Sequence, residues 1–196
     1  EALLEAAEEG DLATLTRLVE KGVNLEAKDE DDWLVGTALM AAARRGNLDC
    51  LEHLVAKGAN LEATSTKGST ALMMAAWKGE LDCLEYLIAK GANLNTQSND
   101  GYTALMWAAI MGKLDCLTRL VEEGVNLEAT AASSTASSTS DTLRPQTGWT
   151  ATRPSCGRLA WASSTASSTS SPDNGFTALV RAAYYGKLDC LEHLIA

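Results

Sequence analysis

Apolar residues recur along the chain in short bursts set off by glycine. Between Gly101 and Ala129, small and apolar side chains fall at Ala104, Leu105, Ala108 and Ala109, the spacing of one helical face. A second burst, at Leu114, Leu117, Leu120 and Val121, keeps the same period. Thr103 stands where its hydroxyl can accept from an unpaired N–H of the first turn, and Gly112 where a left-handed residue can end the helix. Asp115 falls near the positive end of the second helix, which Gly124 is expected to close. The pattern predicts helix, turn, helix, loop.

This unit is copied. Thr-Ala-Leu begins at Thr37, Thr70 and Thr103, 33 residues apart, and returns at Thr177 after a step of 74. Leu-Asp-Cys keeps the same beat, so that Cys50, Cys83, Cys116 and Cys190 each lie 13 residues after the threonine of their own copy. A fixed period of this length marks an array in which each helical pair buries its apolar face on its neighbours. Residues 1–129 divide into a first copy at 1–27, then 28–63, 64–96 and 97–129, and a partial copy occupies 172–196. The first copy lacks the loop that precedes the others and reads as an N-terminal cap. The second has three extra residues in "DEDDWLVGTAL", which puts Trp33 near a loop tip. The last stops within its second helix, and the chain is expected to be part of a longer one.

The copies resemble the ankyrin repeat, whose consensus runs Gly-x-Thr-Pro-Leu-His, then Ala-Ala-x-x-Gly, then Gly-Ala-Asp or Gly-Ala-Asn. Gly68, Thr70, Leu72, Ala75, Ala76, Gly79 and the Gly-Ala-Asn of Gly91 to Asn93 match it. Ala71 and Met73 replace the Pro-His of the consensus. Alanine serves well in a first turn, so the helix is kept, whereas the inter-repeat hydrogen bonding of the family's histidine is not carried over. The resemblance implies an all-α fold: an ankyrin-type helix-turn-helix solenoid with short loops or hairpins between repeats.

From Thr130 to Ser171 the pattern fails, and "ASSTASSTS" occurs twice, at Ala132 to Ser140 and Ala162 to Ser170. At face value this is a Ser/Thr/Ala-rich insertion without structure of its own. The genetic code offers another reading. Codons for Ser164 to Ser170, read one base earlier, can give "LDCLEHL", the string at Leu188 to Leu194. Carried back to Thr150, the displaced frame can give "DGYTALMWAAxMGKLDCLEHL", against "DGYTALMWAAIMGKLDCLTRL" at Asp100 to Leu120. Two expectations stand: a real insertion, or a repeat written in a displaced frame.

Composition narrows the function. Acidic residues outnumber basic ones 26 to 16, and a net charge of −10 opposes contact with phosphate backbones or anionic lipid, so nucleic acid is not an expected partner. No stretch approaches the length of a membrane helix, and membrane insertion is not expected. The chain opens at Glu1 with neither methionine nor a signal-like segment, so a targeting peptide is expected to be absent or removed. One cysteine per repeat on stacked helices leaves neighbours about 8–10 Å apart, too far for a disulfide. Four buried free thiols favour a reducing compartment: cytoplasm, nucleus or organelle stroma. Cys50 with His53 and Cys190 with His193 lie in non-adjacent copies and cannot complete a metal site. No nucleophile and base pair, and no phosphate loop, is evident. No catalysis, cofactor or metal is expected.

Comparison of the copies locates a partner face. In ankyrin-like stacks the concave surface is formed by loop residues around Gly-x-Thr and by two variable residues before the glycine that ends the first helix. Those pairs are Glu8 and Glu9, Arg44 and Arg45, Trp77 and Lys78, Ile110 and Met111, and Tyr184 and Tyr185; the loops supply Ser69, Tyr102 and Phe176. The face runs from charged to apolar along the stack. Tyr102, Ile110, Met111, Phe176, Tyr184 and Tyr185 are expected to converge into an aromatic and methionine patch of the kind found at interface centres, and Arg44, Arg45, Trp77 and Lys78 to extend it. Trp77 and Trp107 are also candidates for packing between repeats. The function expected is a non-catalytic protein-protein interaction module, an adaptor or scaffold. The alternatives are a permanent structural subunit of a large assembly, or a regulatory repeat segment of a longer enzyme.

Overall fold

The computed structural model describes residues 2–28, 36–130 and 177–195. Trp33, Phe176 and the tract from 131 to 176, with its two alternative readings, lie outside the described residues. Within them stand five helical pairs: α1 (Ala2–Glu9) and α2 (Leu12–Glu20), α3 (Ala38–Arg45) and α4 (Leu48–Ala56), α5 (Ala71–Lys78) and α6 (Leu81–Ala89), α7 (Ala104–Met111) and α8 (Leu114–Glu122), and α9 (Ala178–Tyr184) and α10 (Leu188–Ile195). The first helices of the pairs pack side by side as one row, and the second helices form a row behind them. Contact between neighbours is far denser in the first row than in the second, so the stack curls toward the first row. The fifth pair docks directly on the fourth.

Side-chain size explains the two rows. The first helices bury alanine after alanine, among them Ala41, Ala42, Ala43, Ala75, Ala76, Ala108 and Ala109, which lets their backbones approach closely. Leucine and cysteine fill the space behind: Leu51, Leu54, Leu84, Leu87, Leu117 and Leu120 have no exposed surface, and Cys50, Cys83, Cys116 and Cys190 lie among them. The core is one continuous seam through all the described repeats.

Helix ends follow the expected chemistry at most first-row helices and depart from it at others. Thr70 and Thr103 accept from Met73 N and Met106 N at 3.4 and 3.3 Å, each capping its helix. Thr37, in the same position, makes no such bond, and its buried hydroxyl has no partner. Gly79 ends α5 with φ of 86°, and a β-carbon there would stand 2.6 Å from the Lys113 chain that crosses it. The second helices end differently from expectation. Glu123 caps α8, and Gly124 takes its positive φ of 75° one residue further on, in the turn that leaves the helix. Asp11 caps α2 by accepting from Thr14 N at 3.1 Å, and hydrogen bonds from Thr14 hold its carboxyl below the ordinary carboxylate range.

The loops between repeats are tight turns. Ser65 N donates to Ser69 O and Gly68 N to Ser65 O, both at 2.9 Å, and Ser98, Gly101 and Tyr102 repeat the arrangement. Earlier in the same loops an Asn-x-Glu or Asn-x-Asn turn is joined from one repeat to the next. Asn60 N donates to Glu26 Oε1 at 2.8 Å, Asn93 N to Glu62 Oε1 at 2.7 Å, and Asn126 N to Asn95 Oδ1 at 2.8 Å. The asparagine side chains meanwhile accept from the N–H two residues on, at Glu62, Asn95 and Glu128. Backbone donors of these turns are in this way satisfied by a ladder that runs between repeats.

Candidate partner-binding face

The two positions before each closing glycine fall on the last turn of successive first-row helices, and they behave differently. The earlier position is half-buried in Glu8, Arg44, Trp77 and Ile110, and becomes exposed only at Tyr184. The later one is exposed throughout: Glu9, Arg45, Lys78, Met111, Tyr185. Stacking of the repeats turns this second set into a row that changes from acidic through basic to apolar and aromatic.

At the charged end the groups largely satisfy one another. Glu8 and Arg44 form an ion pair between neighbouring repeats, and Arg45 lies 3.7 Å from the same carboxylate. Arg44 is thereby largely withdrawn from solvent, unlike Arg45. Asn47 reinforces this junction by donating to Ala7 O and Glu8 O at 2.8 and 2.9 Å, at the C-terminal end of α1. In the third repeat the Lys78 ammonium sits over the Trp77 ring, 4.4 Å from its centre.

Toward the other end the surface becomes apolar. Met111 is 40% exposed, Tyr185 48% and Tyr184 78%, and the two tyrosine rings meet edge to face at 5.2 Å. Tyr102 is only half-buried: its ring stacks on Trp107 at 4.9 Å, and the Arg181 guanidinium of the fifth repeat lies 4.8 Å from its centre. Beyond the expectation that Trp107 packs between repeats, sequence does not predict this three-residue contact, because Arg181 occupies a position held by Ala41, Met74 and Trp107 elsewhere. Ser69, expected as a loop residue of the face, is buried in its turn.

The structure therefore joins Arg45 to Glu8, Lys78 to Trp77, Tyr102 to Trp107 and Arg181, and Tyr184 to Tyr185. Phe176 lies outside the described residues. His53 is half-buried, with Nε2 enclosed and without a hydrogen-bond partner.

The cysteines lie behind this face. All four described thiols are free and buried. Burial, with help from neighbouring acidic groups, pushes the Cys83 thiol up to about 12 and Cys116 to about 11; Cys50 and Cys190 are raised for the same reasons. A thiol held protonated is a poor nucleophile and a poor metal ligand. Among the described residues no cluster of histidine, cysteine and carboxylate could hold a metal ion, and no helix is long and apolar enough to cross a membrane.

Stacked helical pairs with short turns on one edge define a helical-repeat solenoid. Ankyrin repeats (3 copies) match residues 3–98, and ankyrin repeats (many copies) match residues 78–121. The chain belongs to the ankyrin repeat family, whose members generally serve in protein-protein interaction. Only ankyrin repeats are matched, and no catalytic domain is identified. A search of curated proteins finds no match.

Proposed function

We propose that the protein is a non-catalytic adaptor or scaffold that holds a protein partner against the first-row face, centred on Met111, Tyr184 and Tyr185. The observation that carries this reading is their exposure, in line, at positions where earlier repeats place paired charges. Tyrosine offers large contact area at low conformational cost, and aromatic anchors dominate binding energy at such centres. Trp77, Tyr102 and Ile110 support the patch from half-buried positions, while Arg45 and Lys78 bring positive charge to its flank. Arg44, engaged with Glu8, has a structural part. Free, buried thiols suit a reducing compartment.

The test compares the proteins captured by the wild-type chain and by the Tyr184→Ala/Tyr185→Ala variant, quantified by mass spectrometry. Loss of a discrete partner, with helicity unchanged by circular dichroism, is expected. An unchanged set of captured proteins would refute the assignment. A second reading, a permanent subunit of an assembly, draws on Leu179, Val180, Leu188 and Ile195, which are exposed on the fifth pair. It predicts self-association or poor solubility of the isolated chain, and the adaptor reading a soluble monomer in sedimentation.

A further inference from the structure

We infer that the codons written as Thr150 to Pro172 specify the helical pair of one further ankyrin repeat in a frame displaced by one base, and that the translated protein holds it between the fourth and fifth described pairs. Each displaced codon takes its last two bases from one written residue and its first from the end of the codon before, so only a few residue types are open at each position. Within that choice the displaced string can nevertheless match Asp100 to Leu120 everywhere except opposite Ile110, Thr118 and Arg119. At the latter two it can supply the Glu-His of Glu192 and His193.

Two positions leave no choice of first base. Tryptophan has a single codon, ending in G. Trp149 therefore forces aspartate at codon 150, and Trp161 forces glycine at codon 162. These are the residues that the repeat needs there, opposite Asp100 and Gly112. The tract at Ala132 to Ser140 can give the same second-helix string in the same displaced frame, "GKLDCLEHL". A serine- and threonine-rich insertion has no reason to encode a leucine-rich helix twice.

The structure supplies an independent check, because an inserted repeat must fit both neighbours. The last two described junctions use the same lock. Lys113 crosses the glycine that ends α5, and Lys187 crosses Gly112 at the end of α7, where a β-carbon would stand 2.8 Å from Lys187 Cδ. The displaced frame offers both halves of that lock, glycine at codon 162 and lysine at codon 163. Its lysine would lie over Gly112 and its glycine under Lys187. It can also encode tyrosine at codon 152 and tryptophan at codon 157, opposite Tyr102 and Trp107. The seat that Arg181 now takes over Tyr102 is thus reproduced one repeat further along. Insertion keeps the glycine and lysine lock at both junctions, brings the tryptophan of codon 157 to the place Arg181 now holds over Tyr102, and lengthens the stack by one repeat.

Sequencing of the transcript through codons 130 to 176, with mass spectrometry of the protein from its natural source, tests this. The expected result is a continuous displaced frame and a tryptic peptide beginning Leu-Asp-Cys-Leu-Glu-His-Leu from that region, distinguished from the one at Leu188 by its C-terminal continuation. A transcript encoding the written residues, confirmed by the tryptic peptide Leu159 to Arg181, would overturn the inference, as would a transcript lacking the tract. Expression of the restored-frame chain adds a physical readout. Its denaturant dependence should steepen relative to the written chain, because a folded repeat adds surface exposed on unfolding; an unchanged slope counts against the repeat.

Discussion

Thr37 and Thr70 occupy the same place in successive repeats, are equally buried, and differ in one bond. Both start a helix from extended backbone, but φ is −123° at Thr37 and −98° at Thr70. Only Thr70 reaches the N–H three residues on, at 3.4 Å. Replacement by valine removes the hydroxyl and keeps the shape. At Thr70 the change forfeits a cap and leaves a buried donor, a loss of about 1–2 kcal/mol. At Thr37 it removes a buried hydroxyl that has no partner. The burial cost of such a group is roughly 1–3 kcal/mol, so Thr37→Val should stabilise by about 1 kcal/mol. The two variants should then differ by about 2–3 kcal/mol. With a urea slope of about 1–3 kcal/mol/M, their unfolding midpoints should lie roughly 1 M apart on opposite sides of the wild type. Equal destabilisation by both substitutions would refute the argument, since it would mean that the Thr37 hydroxyl is bonded in solution.

The same geometry carries two more expected outcomes. Asn47→Ala removes both donors that tie α4 to the end of α1 and should destabilise the chain by about 1–3 kcal/mol, with faster amide exchange in α1 than in α7; uniform exchange would contradict it. The raised thiols fix the alkaline limb of stability. A thiol that binds its proton more tightly when folded contributes fully below its unfolded value of 9.0, and that contribution is lost as pH rises toward about 11 at Cys116 and about 12 at Cys83. Stability of the wild type should fall more steeply between pH 9 and 12 than that of Cys83→Ala/Cys116→Ala, measured by urea titration at each pH. Parallel falls would show that other groups govern the loss.

The repeat, its helices and most of its caps are legible in the sequence because they are periodic: each copy states again where threonine, alanine, leucine and glycine must stand. The partner face is written in the positions that break the period, and there composition goes only part of the way. The trend from charge to aromatic is visible, but not that Arg44 is held by Glu8, since nothing in either segment specifies a pairing 36 residues away. Arg181 stays hidden for a similar reason, as its significance lies in the neighbouring Tyr102 ring. The idle hydroxyl of Thr37 reflects a backbone difference of a few tens of degrees that an identical Thr-Ala-Leu string cannot express. The glutamate and asparagine ladder lies in the Gly-Ala-Asn-Leu segment, away from the position of the missing family histidine.

That ladder has a direction. In every rung the acceptor belongs to the earlier repeat and the donor N–H to the later one: Glu26 before Asn60, Glu62 before Asn93, Asn95 before Asn126. A chain leaving the ribosome amino end first therefore presents each acceptor before the donor that needs it has been made. Each new turn meets a finished template, and the molecule can be assembled in the order of its synthesis without waiting for residues still to come.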